Sequence, residues 1–350
     1  MTRILIVRTS AIGDIVFASP IAAALKAGWP DAHIAWLAEP GLGALVAADP
    51  AVDEVLMWPK AEWRRLWQER RLVALWRAVR RFRQELRQRH FDIAIDLQGL
   101  LKSGVVTWLS GAPRRIGLGS REGSQMLMTE VIPKRGVLER ISSEYRYLAE
   151  RLELPAGEFV PRLHADPGAE AKALARLAEL GMAPGSYAVL APFTTRPQKH
   201  WFEDAWQALA PQIRDELGLT PLMLGGPADA PAAARIASAG SGIVNLAGAT
   251  GLAEAAALVK HAGLVIGVDT GLTHMGIAFA RPTVAIFGST RPYLDTGRPN
   301  ARVIWLGLPC SPCRRHPTCG GAYTCLGEIT PERVLDEARA TLTQESATIC

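Results

Sequence analysis

No stretch of this 350-residue chain is apolar over about eighteen residues, so a membrane-spanning helix is not expected. The apolar core of the N-terminus, Ile4 to Val7, is too short for a signal peptide, and polar Thr9, Ser10 and Asp14 follow at once; the protein is read as cytoplasmic. Aromatic residues make up only 7% of the chain and form no stacking or helix-turn-helix pattern, which counts against a nucleic-acid-binding protein. The first strand-turn lacks the G-x-G-x-x-G spacing, so a dinucleotide site of that type is not expected there. Cysteine is scarce, with five residues, yet four of them crowd between 310 and 325.

What is present describes a soluble globular protein, with 49% hydrophobic and 21% charged residues. Its length exceeds the usual size of one core, so two domains are the natural expectation. The net charge of +5 is unevenly spread. Between Lys60 and His90 there are eleven Lys or Arg against three Glu, a local +8 on a body otherwise near neutral. One cationic surface implies an anionic partner. Apolar residues at Leu72, Leu75, Trp76, Val79, Phe82 and Leu86 give this segment helical spacing, and Trp58, Trp63 and Trp67 cluster at its start. Two readings stand: a solvated helix with core tryptophans, or an interfacial segment with arginines on lipid phosphates and tryptophan at headgroup depth.

Strand-turn-helix units recur along the chain. Arg3 to Val7 leads through Arg8–Asp14 into a helix, and strands are expected at His33–Leu37, Glu54–Trp58, Phe91–Leu97 and Arg114–Leu118. Leu154 to Gly168 carries several prolines and reads as a linker. A second series then starts at Tyr187, with strands at Pro221–Leu224, Ile243–Leu246, Gly263–Ile266 and Thr283–Phe287, each ending in a Gly-, Thr- or Ser-bearing turn. In a parallel sheet such turns share one edge and form a polar rim suited to a nucleotide-linked ligand. The densest is Gly267–His274, where a strand, a tight turn and a helix start aim backbone N–H groups at one point beside Asp269, Thr270, Thr273 and His274. Taken alone, it is equally compatible with an ordinary capped turn. Cys310, Cys313, Cys319 and Cys325, spaced C-x2-C-x5-C-x5-C, suggest a structural zinc or iron site, with free thiols as the alternative; Cys350 stands apart.

Five motifs in order carry a resemblance to a known family: Ile4–Asp14, Asp96–Ser103, Arg115–Gly117, Thr194–Arg196 with Lys199–Trp201, and Val268–His274. Together they resemble the glycosyltransferase family 9 heptosyltransferases of lipopolysaccharide biosynthesis, over residues 4 to about 290. The resemblance implies an α/β fold of GT-B type, two Rossmann-like doubly wound domains facing across a cleft. Residues 1–165 would bind acceptor, 166–328 would bind nucleotide sugar, and 329–350 would form a helix and tail packing back toward the first domain. It implies inverting, ADP-heptose-dependent transfer to the Kdo or inner-core region, at the cytoplasmic face of the inner membrane, with segment 58–90 meeting the bilayer, no nucleic acid bound, and no cofactor required for catalysis.

The same resemblance assigns roles. Asp14 matches the base that takes the acceptor's proton. Lys199, with Thr194, Thr195, Thr270, Gly271 and Leu272, matches the group around the diphosphate. Asp269 would hold sugar hydroxyls with His274 beside it, and Ser10, Lys102 and Arg121 match the acceptor side. The Thr194-Thr195-Arg196 and Asp269-Thr270-Gly271-Leu272 forms are more similar to enzymes that add the first heptose. Arg8 stands where a lysine is common, and the cysteine loop lies outside the first-heptose pattern. Addition of the second heptose, use of another sugar nucleotide, and a non-enzymatic sugar-nucleotide- or nucleic-acid-binding protein remain the alternatives.

Overall fold

The structure is a computed structural model that describes residues 1–238, 240–313 and 316–348, so Cys350 lies outside the described residues. It contains two compact units: residues 1–137 with 142–159, and residues 138–141 with 160–350.

In the first unit, β1 (Arg3–Val7), β2 (His33–Ala38), β3 (Glu54–Met57), β4 (Ile93–Asp96), β5 (Arg114–Leu118) and β6 (Glu130–Ile132) form one sheet. Its order is β3-β2-β1-β4-β5-β6, with every pair parallel. Ile4 to Val7 and Ile34 to Leu37 are fully buried, as expected of strands covered on both faces. The chain leaves β1 in one direction and β4 in the other, so a crevice opens at the carboxyl ends of these two neighbours. That is where Arg8–Asp14 and Leu97–Ser103 lie.

The second unit repeats the plan. β7 (Tyr187–Ala191), β8 (Thr220–Met223), β9 (Val244–Asn245), β10 (Leu264–Val268), β11 (Thr283–Ile286) and β12 (Ala301–Ile304) form a parallel sheet in the order β12-β11-β10-β7-β8-β9. Gly267 is in register with Ala191 on one side and Ala285 on the other, so the turns after β7, β10 and β11 emerge together. The division between units falls within the proline-bearing stretch read as a linker. Residues 138–141 join the second unit through Ile141 N–H to the Asp295 carbonyl at 2.9 Å and Arg140 to the Asp295 carboxylate at 3.2 Å.

The final helix, Pro331–Thr348, packs on the Glu203–Leu217 helix and on β11 and β12. Val334, Leu335 and Ala338 are buried in the second unit's core, and the buried Trp201 donates its indole N–H to the Ile329 carbonyl at 3.0 Å. An apolar stripe on the helix thus completes this unit's core.

The basic segment forms two helices, Lys60–Gln68 and Leu72–Arg87. Its tryptophans divide between the two readings. Trp58 is buried and Trp63 packs edge-on against both Trp58 and Phe82, whereas Trp67 is 66% exposed. No helix among the described residues is long and apolar enough to cross a membrane.

Candidate active site

Each unit gathers polar side chains at the carboxyl edge of its sheet. In the first, the turn after β1 places Arg8 under Asp14. Arg8 is nearly buried; it bonds the Asp14 carboxylate at 2.6 Å and donates to the Leu97 carbonyl at 3.0 Å. Burial alone would lower the Arg8 pKa, but the facing Tyr145, Asp14 and Glu144 raise it above its ordinary value, so the guanidinium stays charged. Asp14 lies in the first turn of the Ile12–Ala18 helix, where the helix dipole favours a carboxylate. Arg8 and the Ala11 N–H, the latter at 3.2 Å, both engage Oδ2. Oδ1 has no hydrogen bond among the described residues, and about half of the side chain is exposed. Arg8 therefore fixes the carboxylate and leaves one oxygen open to a ligand.

The turn after β4 is held by a buried carboxylate. Asp96 accepts from the Gln98 and Gly99 N–H groups at 2.9 and 3.0 Å and from Ser103 Oγ at 3.0 Å. Burial pushes its pKa up, and these bonds offset only part of the rise. Gln98 Oε1 accepts from the Thr9 hydroxyl at 2.7 Å, which ties the two turns together beside the half-buried Ser10. Gly99 has a φ of +67°, and a Cβ there would sit 2.6 Å from the Leu118 carbonyl oxygen. Its own carbonyl accepts from the Arg121 N–H at 2.9 Å, so the 119–123 loop is anchored beside the exposed Lys102.

In the second unit the centre is Asp269, at the end of β10. Its Oδ2 meets Lys199 Nζ at 2.5 Å and accepts from Thr290 Oγ1 at 2.6 Å; its Oδ1 lies 3.2 Å from His274 Nε2. Burial would raise the Asp269 pKa, but His274 and Lys199 outweigh it and hold the carboxyl well below the usual range. His274 is itself buried, with Nδ1 2.8 Å from the Tyr293 hydroxyl. Burial, with Asp269 nearby, pushes the Tyr293 hydroxyl far up, so it keeps its proton. The two His274 ring nitrogens thus bridge the Tyr293 hydroxyl and the Asp269 carboxylate.

Lys199 ends the short 3-10 turn Pro197–Lys199, and besides Asp269 Oδ2 its ammonium meets the Asp269 backbone carbonyl at 3.3 Å. An ammonium has three N–H donors, so one remains for an anion. Thr270 is the N-cap of the Gly271–Ala278 helix and makes no side-chain capping bond, which leaves its hydroxyl free of that duty; Gly271 and Leu272 form the first turn. Thr194 is half-buried, its carbonyl 2.8 Å from His200 Nε2, and Thr195 is exposed. Lys199, Asp269 and His274 thus meet directly, whereas Thr194 and Thr195 line the neighbouring turn.

Thr290 and Tyr293 lie outside the five sequence motifs; they reach Asp269 and His274 because β11, whose end leads into the Gly288-Ser289-Thr290 turn, pairs with β10.

The four cysteines converge around one small cavity of about 10 Å³, shared with Ser289, Thr318, Tyr323 and Thr324. All four are free, and no group of three or more His, Cys, Asp or Glu among the described residues is arranged to hold a metal ion. The structural zinc or iron expected at Cys310, Cys313, Cys319 and Cys325 is therefore not supported, and the loop is held by packing. Cys325 and Leu326 lie in the second unit's core, and Ser311 Oγ donates to the Gly288 carbonyl.

Two doubly wound parallel units with charged turns at their sheet edges define a glycosyltransferase fold of GT-B type. Residues 79–323 match the model of glycosyltransferase family 9 (heptosyltransferase), and the chain belongs to that family. It is 30% identical to lipopolysaccharide heptosyltransferase 1 of Pseudomonas aeruginosa, with 97% of this chain and 98% of that protein covered. It is 27% identical to lipopolysaccharide heptosyltransferase 2 of Escherichia coli, over 99% of this chain and 100% of the relative. Among solved structures it resembles E. coli ADP-heptose heptosyltransferase II, with a TM-score of 0.76 at 26% identity over 99% and 100% of the two chains. It also resembles an E. coli heptosyltransferase solved with ADP, with a TM-score of 0.75 at 25% identity, covering 97% of this chain and 100% of that one. The chain is a glycosyltransferase.

Proposed function

We propose that this chain moves heptose from ADP-heptose, with inversion, onto the Kdo or inner-core region of lipopolysaccharide, and that the first heptose is the one it adds. The observation that carries the reading is the Lys199–Asp269–His274–Thr290 cluster at the head of the Gly271–Ala278 helix. A leaving ADP develops negative charge, and the spare Lys199 donor with the N–H groups of Thr270 and Gly271 can stabilise it, flanked by Thr194, Thr195 and Leu272. Asp269, kept ionised by Lys199 and His274 beside it, accepts from sugar hydroxyls. Asp14 takes the proton of the attacking hydroxyl through its open oxygen while Arg8 holds the other. Ser10, Lys102 and Arg121 receive the acceptor's carboxylates and phosphates. The enzyme works as a cytoplasmic protein peripheral to the inner membrane, reached through the basic segment 58–90, and the reaction requires no cofactor.

The test is ADP release by the purified full-length chain given ADP-heptose and a Kdo-bearing lipid A acceptor. Turnover with a different sugar nucleotide, and none with ADP-heptose, would move the donor assignment. Because the relatives include proteins named for both heptose additions, an acceptor already carrying one heptose belongs in the same assay. Faster turnover on that acceptor assigns the second addition instead.

A further inference from the structure

The first unit exposes two sets of large apolar side chains on neighbouring helices. Trp67 ends the Lys60–Gln68 helix at 66% exposure, and Leu72, Val73 and Trp76 open the Leu72–Arg87 helix at 55, 65 and 59%. Trp76 lies four residues from Leu72 and three from Val73, so the three share a face, with the Arg80 guanidinium stacked on the Trp76 ring at 5.3 Å. The second set belongs to the Leu101–Leu109 helix. Leu101, Val105 and Trp108, at i, i+4 and i+7, form a ridge exposed at 45, 37 and 46%. This helix buries its opposite side through Val106 and Leu109, in the same core that receives Phe82 and Leu86 from the other helix. The two helices pack on each other and cover one face of the sheet, and both begin at its carboxyl edge, the edge that carries Asp14. Apolar surface of this extent, unpartnered on a folded unit, marks a contact site.

The charges around it indicate what it contacts. Arg64, Arg65, Arg70, Arg77, Arg80 and Arg81 have no carboxylate within ion-pair distance among the described residues, whereas Arg71 and Arg89 of the same segment do. Unpaired arginines bordering tryptophan and aliphatic side chains match a layer with phosphates outside and hydrocarbon beneath. We propose that the Trp67–Trp76 corner and the Leu101–Val105–Trp108 ridge form one lipid-inserting surface that seats the enzyme on an anionic bilayer, with Lys102 at its margin. The proposal rests on the acceptor-side reading of the first unit, and it adds the ridge, which lies outside the basic segment. Seated in this way, the Asp14 turn meets an acceptor sugar at headgroup level, without drawing the lipid from the membrane.

The experiment compares full-length wild type, Val105→Ser/Trp108→Ser and Arg77→Gln/Arg81→Gln by co-sedimentation with phosphatidylcholine vesicles, with and without phosphatidylglycerol. Wild type should partition onto the anionic vesicles, and tryptophan emission should shift to the blue. The ridge variant should lose about tenfold or more in partitioning, even at high salt. The arginine variant should lose about fivefold per arginine at low salt only. All substituted residues are exposed or flank exposed ones, and equal thermal melts confirm that the fold is kept. A soluble, deacylated Kdo acceptor should be turned over equally by all three proteins. Failure of every protein on that acceptor defeats the proposed activity, while normal turnover without vesicle binding defeats the lipid surface alone. Undiminished vesicle binding by the ridge variant overturns the ridge's part. So does a ridge variant that only converts a dimer to a monomer, or salt-sensitive binding to nucleic acid in place of vesicles.

Discussion

Replacing Asp269 by Asn tests the donor-side cluster through both stability and rate. The substitution keeps the shape and one acceptor but removes the charge facing Lys199 at 2.5 Å, where both side chains are only 16% exposed. Removing one member of a fully buried pair costs about 3–5 kcal/mol, whereas exposed pairs contribute below about 1. For this partly buried pair about 2 kcal/mol is expected, or roughly 4–8 °C in the melting of a unit this size. The pH dependence separates this cause from general loosening. Asp269 has a lowered pKa in the folded protein, so its contribution is complete above the unfolded aspartate value of about 3.9 and is lost as pH falls toward the folded value. The stability gap between wild type and variant should stay constant from about pH 8 to 5 and shrink by about 1 kcal/mol on reaching pH 3. Calorimetry across that range measures it, and ADP release by the same samples should show kcat/KM reduced about a hundredfold. A gap that held its full size at pH 3 would falsify the ion-pair account of this carboxylate.

Asp14→Asn should lower kcat by about 10² to 10⁴ while leaving ADP affinity within a fewfold, since the base acts only on the acceptor; near-normal turnover removes Asp14 from that role. Thr290→Val deletes a 2.6 Å bond to an ionised carboxylate, so a loss of about 1.5–3 kcal/mol in stability and a raised KM for the donor are expected, with the acceptor KM unmoved. Gly99→Ala places a Cβ 2.6 Å from a carbonyl oxygen at a φ of +67°, which should cost about 1–3 kcal/mol and raise the acceptor KM selectively. A donor KM that rises equally would show that the 119–123 loop does not serve the acceptor alone.

The sequence made the long strands legible because a strand covered on both faces must be a continuous apolar run, as in Ile4–Val7 and Leu264–Val268. β6, three residues long, was too short to show any pattern, and β9 keeps only two residues of the expected Ile243–Leu246 strand. Trp58, Trp63 and Trp67 could not be sorted, since composition does not say which side of a helix meets a sheet. The Leu101–Leu109 helix posed the same problem in reverse. Its 101–105–108 spacing resembles a buried face, yet Val106 and Leu109 win the core and turn that ridge outward. The four cysteines showed the limit of spacing as a guide, because convergence on one cavity did not produce ligand geometry.

The charged sites show most clearly what a linear reading omits. Both sheets have the same order, so β1 and β4 in the first unit correspond to β7 and β10 in the second. In the first unit the ion pair lies within one turn, Arg8 to Asp14, and could be found as a motif. In the second it spans two turns, Lys199 after β7 and Asp269 after β10, and a third strand, β11, brings Thr290. Motif matching located each of Lys199 and Asp269 but gave them separate duties, one to phosphate and one to sugar. In the folded chain they are electrostatically one group, since Lys199 helps to keep Asp269 ionised and Asp269 takes one Lys199 donor while leaving another free. A substitution at either should therefore affect both duties, and a Lys199/Asp269 double variant should lose less than the sum of the two single losses. Additive losses in a double-mutant cycle on kcat/KM would mean that the pair does not act as a unit during transfer.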